Sequence, residues 1–146
     1  MTTLMRSWLN ANTEFEGLPI YFRRPNVPTA EFPSLQPRYP RLLVLTHVLA
    51  HVKSNGLPES AYNASLESMS MSLTAPFQDE TAGLIAVIET FAGKRTYYIY
   101  LAPSFDADAH VRDARMRFPQ EALQHEVKED PGWRDFRGYA ADFDFE

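Results

Sequence analysis

The order of periodic segments between Arg41 and Lys128 constrains this chain more than any other feature. The pattern there reads strand, helix, strand, tight turn, strand, helix, strand. Residues 41–52 form a continuous apolar run bounded by Pro40 and by Asn55-Gly56, which suits a central strand buried on both faces. A helix is the rival, because Leu45, Val48, Leu49 and Val52 would share one helical face. From Glu59 to about Ala75, Tyr62, Leu66, Met69 and Leu73 make one apolar stripe, and Pro76 ends that helix.

Ala82–Thr90 reads as a second buried strand, Phe91-Ala-Gly-Lys94 as a turn, and Arg95–Leu101 as the returning strand. Strands joined by so short a turn are antiparallel neighbours. Ser104 is placed to cap a second helix, with Asp106 and Asp108 at its positive end and Arg112, Arg115 and Arg117 toward its negative end. Ala107, Val111, Ala114 and Phe118 are its buried stripe. Residues 122–128 alternate Leu123, His125, Val127 against Gln124, Glu126, Lys128, as a half-exposed edge strand does. The order βαββαβ predicts an α+β domain with a ferredoxin-like core. Right-handed crossovers place both helices on one sheet face. The other face is left open, or is covered by residues 1–40, by the tail, or by a partner.

Residues 1–40 are an N-terminal extension. Leu18, Ile20 and Phe22 alternate with Pro19, Tyr21 and Arg23, and Gly17 can turn a hairpin. A short helix over 3–10 is the alternative. Five prolines between Pro25 and Pro40 predict a long surface loop. In the tail, 129–146, Asp130 as cap and Pro131 at the first helical position predict a helical turn that packs Trp133, Phe136 and Tyr139. The end, Asp142-Phe-Asp-Phe-Glu146, alternates and is either an added edge strand or a frayed terminus.

At 146 residues, 45% hydrophobic and 23% charged, the chain is expected to be one globular domain, 1–146. Cysteine is absent, so thiolate chemistry and disulfides are excluded. A cytoplasmic location is expected: no apolar run approaches the ~20 residues a bilayer requires, and the start lacks the pattern of a signal peptide. Residues 1–60 carry net +2 and 61–146 net −7, which argues against nucleic acid as partner.

The chain resembles the bacterial domain-of-unknown-function family 695. The likeness rests on Trp8 followed by Gly17-Leu-Pro19, on Tyr39-Pro40 leading into Leu42-Leu-Val-Leu45, and on Asn55-Gly-Leu-Pro58 before Leu66-Glu67. It continues through Gly93-Lys-Arg95 before Tyr98-Ile-Tyr100, and Asp130-Pro-Gly-Trp133. That family carries no assigned activity, so the resemblance implies no catalytic residues. A distant similarity to the protein inhibitor of ribonuclease E implies a protein-binding role.

Candidate chemistry is sparse. His47 and His51 would share a helix face for a metal, but on a strand they stand roughly 13 Å apart at ~3.3 Å per residue. No Glu follows His47 as a His-Glu-x-x-His motif requires. His110 and His125 read as surface or edge residues. Ser60, Ser65, Ser68, Ser70 and Ser72 fall on the solvated side of a helix, with no nucleophile elbow. Asp106 and Asp108 are explained by the helix dipole. No glycine loop suits a phosphate, so neither a cofactor nor a metal is predicted. Thr96, Tyr98 and Tyr100 share a face of the third core strand, where RNA-binding modules of this order stack bases, but Arg95 and Tyr97 depart from that motif. These tyrosines either pack beneath the flanking segments or, with Arg95, meet a protein partner. The expected function is a non-enzymatic, cytoplasmic binding or regulatory protein acting through protein contacts, with Arg95, Tyr98 and Tyr100 as candidate contacts. The alternative is a small enzyme using His47, His51 or a carboxylate; a single-stranded RNA module is the third reading. Homodimerisation through an open sheet face is a further option.

Overall fold

Glu16-Gly17 and Ala92-Gly93 have φ of 53°, 83°, 51° and 83°. Two consecutive left-handed residues make the type I′ turn, whose twist matches the strands it joins. These turns build two hairpins. In the computed structural model, which describes residues 6–142, the first joins β1 (Trp8–Phe15) to β2 (Leu18–Pro25). After β3 (Arg41–Val48), the second joins β4 (Gly83–Phe91) to β5 (Lys94–Leu101), and β6 (Ala122–Glu129) follows. The result is a mixed α/β fold on one six-stranded sheet, in the order β1-β2-β4-β5-β3-β6, with every pairing antiparallel. No described helix is long and apolar enough to cross a membrane.

One sheet face carries α2 (Ser60–Ser65), α3 (Glu67–Thr74) and α4 (Ala107–Arg117). Leu66, Met69, Leu73 and Val111 from these helices meet Leu43, Leu45, Ile85, Tyr97 and Ile99 from the sheet. The other face is roofed from both ends of the chain. A single turn, α1 (Phe32–Leu35), follows a 3-10 turn at Thr29–Glu31 and brings Phe32, Leu35 and Tyr39 down. α5 (Arg134–Asp142) and the residues before it add Trp133 and Phe136 over Leu42, Leu84, Val87 and Tyr100. Two buried faces explain why β3 and β4 read as near-continuous apolar runs.

Several expectations need correction. The strand predicted over 41–52 ends at Val48, because its neighbours run out: Val48 is already opposite Lys94 of β5 and Ala122 of β6. Leu49 N–H then donates to Gly93 C=O, and the chain turns away, leaving only a lone bridge between Val52 and Pro58. The helix predicted from Glu59 is broken at Leu66 (φ −85°, ψ −2°) and passes into a 3-10 turn at Ala75–Phe77. Asp106, not Ser104, caps α4, its carboxylate accepting from Ala109 N–H at 3.0 Å. The tail helix begins at Arg134 rather than Pro131; Asp130 accepts from the N–H groups of Arg134 and Asp135. The proline-rich segment is no mere surface loop, since three of its side chains are core. The helical alternative at 3–10 gives way to β1 from Trp8; residues 3–5, like Phe143–Glu146, lie outside the described residues.

Candidate functional site

The helical layer is narrower than the sheet. It packs over β5, β3, β6 and part of β4, and no β2 side chain enters its core. On that face the outer strands and the α2–α3 wall enclose an open cleft of about 860 Å³. Period-two alternation fills its floor: Ile20 and Phe22 turn to the roofed face, while Tyr21 and Arg23 point the other way. Register then lines residues up across strands. Tyr21 lies opposite Thr90, and Thr90 opposite Arg95. Trp8 from β1, Asn63, Glu67 and Met71 from the helices, and Lys53 and Leu57 from the loop after β3 complete the walls.

Arg95 is held in place. Its Nε donates to Thr90 Oγ1 at 3.0 Å and its Nη2 to Asn63 Oδ1 at 2.8 Å. The Arg23 guanidinium sits 5.4 Å from the centre of the Trp8 ring, within cation–π range. Among the described residues, Arg23, Lys53 and Arg95 make no ion pair, whereas Arg6, Arg117 and Lys128 each have a carboxylate partner. Glu67 is the acid on the same walls. The cleft therefore offers cationic and aromatic groups side by side.

The profile of a family of unknown function, DUF695, matches residues 7–140. The chain belongs to the DUF695 family. No curated protein and no solved structure matches it.

Of the three contacts expected in this DUF695 chain, Arg95 opens onto the cleft. Tyr98 and Tyr100 alternate onto the opposite face, beneath the tail. Tyr100 is 0% exposed and stacks on Trp133, with centroids 4.5 Å apart and planes 17° apart. Tyr98 is half-buried with Tyr139 at 5.2 Å; burial pushes its phenol up to about 12, with Glu89 and Asp135 adding to the effect. These two tyrosines pack under the flanking segments, so the surface with the chemistry of a contact site is the one around Arg95. Trp8, Tyr21, Arg23 and Lys53 join it there. The sequence signal for Tyr21 and Arg23 is the alternation in 18–24; Trp8 stands out only as part of the family likeness, and nothing local marks Lys53.

The two histidines do not meet. His51 lies past the end of β3, its side chain 65% exposed, while His47 is 0% exposed. His47 Nε2 is 2.8 Å from Glu121 Oε1, and the Tyr62 hydroxyl donates to the same oxygen at 2.5 Å while accepting from Ala50 N–H. Burial lowers the His47 pKa, with Arg95 acting in the same direction, and Glu121 only partly offsets this. Burial alone would raise Glu121, but the hydrogen bonds from Tyr62 and His47 hold it below the ordinary carboxylate value. His47 is thus a neutral imidazole whose Nε2–H donates to a carboxylate. Its Nδ1 is buried without a hydrogen-bond partner among the described residues. No group of three or more His, Asp or Glu side chains among the described residues could hold a metal ion.

Proposed function

We propose that this DUF695 protein is a non-enzymatic, cytoplasmic regulatory protein that acts by seating part of another protein in the cleft between the β1–β2 hairpin and the α2–α3 wall. The observation that carries this reading is three cations that make no ion pair among the described residues, Arg23, Lys53 and Arg95, gathered beside Trp8 and Tyr21. Arg, Trp and Tyr are the residues most enriched where truncation costs a complex most. A guanidinium already fixed by Thr90 and Asn63 loses little freedom on docking. Tyr21 at 40% and Met71 at 63% exposure add apolar surface on either side.

The same proposal takes β3 to β6 with α2–α4 as a ferredoxin-like core widened by the N-terminal hairpin. Support comes from the sheet order β4-β5-β3-β6 and from helices α2–α4 lying on one face. The proposal also takes up the distant likeness to the protein inhibitor of ribonuclease E expected from the sequence, which would fit a role exercised by contact rather than by chemistry.

A photo-crosslinking amino acid placed at Met71 tests this, with Met116 on α4 (76% exposed) as the control position. One cross-linked protein is expected from cells at Met71 and not at Met116, and it is expected to vanish when Tyr21 becomes Ala. Equal capture at both positions, or capture indifferent to Tyr21→Ala, would remove the cleft from the argument.

A further inference from the structure

Resting on that reading, we propose that the cleft takes an extended acidic segment of its protein partner, with carboxylates spaced about four residues apart and apolar side chains between them.

The charge distribution points there first. The chain carries net −5 overall and −7 beyond residue 60, yet three of its cations converge on one hollow whose one lining acid is Glu67, and among the described residues none of the three makes an ion pair. Arg6 is the contrast: its guanidinium is bound by Glu31 and Glu80 together. Arg95 has committed Nε and Nη2 to Thr90 and Asn63, so its plane is set and Nη1 remains for a carboxylate oxygen. Arg23 is steadied by the Trp8 ring rather than by a counter-charge.

Spacing sets the kind of anion. Tyr21, Thr90 and Arg95 lie in one row across β2, β4 and β5, and Arg23 lies two residues along β2 from that row. Two inter-strand steps of ~4.8 Å and two residues of ~3.4 Å put the Arg23 and Arg95 Cα atoms about 12 Å apart. Residues four apart in an extended chain stand about 13 Å apart, so one strand can reach both arginines. Between them the floor is Tyr21 and Ile88, with Met71 on the wall, which suits apolar side chains rather than a run of continuous charge. A nucleic acid partner would need the basic excess that this chain lacks.

The test uses the full chain and a fluorescein-labelled peptide of about eight residues with glutamate at its second and sixth positions and leucine at the fourth, so that all three share one face of the extended chain, read by anisotropy. The comparators are the same peptide with lysine for glutamate, a single-stranded oligonucleotide and inorganic polyphosphate. The acidic peptide is expected to bind at or below about 1 mM, to weaken as salt is raised, and to lose about tenfold affinity with Arg23→Gln and again with Arg95→Gln. Arg23 is exposed, so its variant folds even if Arg95→Gln does not. Absence of binding, equal binding of the lysine peptide, unchanged affinity in Arg23→Gln, or tighter binding of polyphosphate or oligonucleotide each overturns the proposal. Should a protein cross-link at Met71 and yet be captured equally by the Arg23→Gln variant, the acidic segment is wrong while the cleft stands. Loss of the cross-link itself removes both.

Discussion

The Tyr100 hydroxyl donates a 2.7 Å hydrogen bond to the Asp130 carboxylate, and through it the centre of the sheet is tied to the start of the tail. The same hydroxyl accepts from Phe136 N–H at 3.3 Å, and Asp130 accepts from the N–H groups of Arg134 and Asp135. Trp133, at φ 55°, stacks on the Tyr100 ring and donates its indole N–H to Tyr39 C=O. Asp130-Pro-Gly-Trp133 is therefore a capping device that locks both flanking segments to one sheet face. Burial raises the Tyr100 pKa, and the Asp130 bond adds to it, so the phenol stays a donor.

Tyr100→Phe keeps the ring and deletes the donor, leaving a buried carboxylate and the Phe136 N–H each short of a partner. The expected cost is about 1–3 kcal/mol in urea unfolding, with the near-ultraviolet signal of Trp133 weakened. A variant as stable as the parent would show that this bond does not hold the tail.

Ending the chain after Glu129 removes Trp133 and Phe136 from above Leu42, Leu84 and Val87, which are 0–3% exposed in the intact protein. An uncovered apolar face of that kind binds hydrophobic dyes and self-associates. The truncated chain is expected to bind such a dye strongly and to lose cooperative unfolding. A monomeric, sharply melting product would mean that the first helical layer suffices for the fold.

His47 ties stability to pH. Its folded pKa lies below the unfolded value of about 6.5, so the folded state binds fewer protons than the unfolded chain between those two values, and stability there rises with pH. The contribution is complete above about pH 6.5 and is lost as pH falls toward the lowered value. Glu121, held below its usual 4.5, extends the loss further into acid. Urea midpoints measured from pH 7.5 to 4.5 should fall, and His47→Gln should flatten the upper part of that curve, between about pH 6.5 and the folded value. An unchanged slope there in the variant would assign the effect to another group.

Much of this fold was legible in the chain, for reasons specific to each segment. The stripe Leu66, Met69, Leu73 and the glycine turn at 92–93 are local patterns, and local patterns survive into the structure. The end of β3 was not readable, because it is set by where β5 and β6 begin. The roof over Tyr98 and Tyr100 was equally hidden: a tyrosine pattern is the same whether solvent or a tryptophan lies above it. The cleft needed tertiary knowledge most of all. Trp8, Tyr21, Lys53, Asn63 and Arg95 come from five separate segments, and only strand order brings them together.

Gly56 links that assembly to the cleft. Its φ is +86°, and a Cβ there would stand 2.8 Å from Ala92 Cα, a backbone atom that cannot swing aside. Gly56 C=O also accepts from Gly93 N–H at 2.8 Å, so the loop bearing Lys53 and Leu57 is pinned to the β4–β5 turn. Gly17 has nearly the same backbone angle, φ +83°, but open space around its Cα. Gly17→Ala should therefore show the conformational cost alone, about 1–2 kcal/mol. Gly56→Ala should cost more, because the loop must also move off Ala92. The displaced loop carries Lys53 away from the cleft, so Gly56→Ala should weaken capture at Met71 while Gly17→Ala leaves it intact. Equal destabilisation of the two variants in urea would show that the loop is free to shift, and that its contact with the turn does not position the cleft.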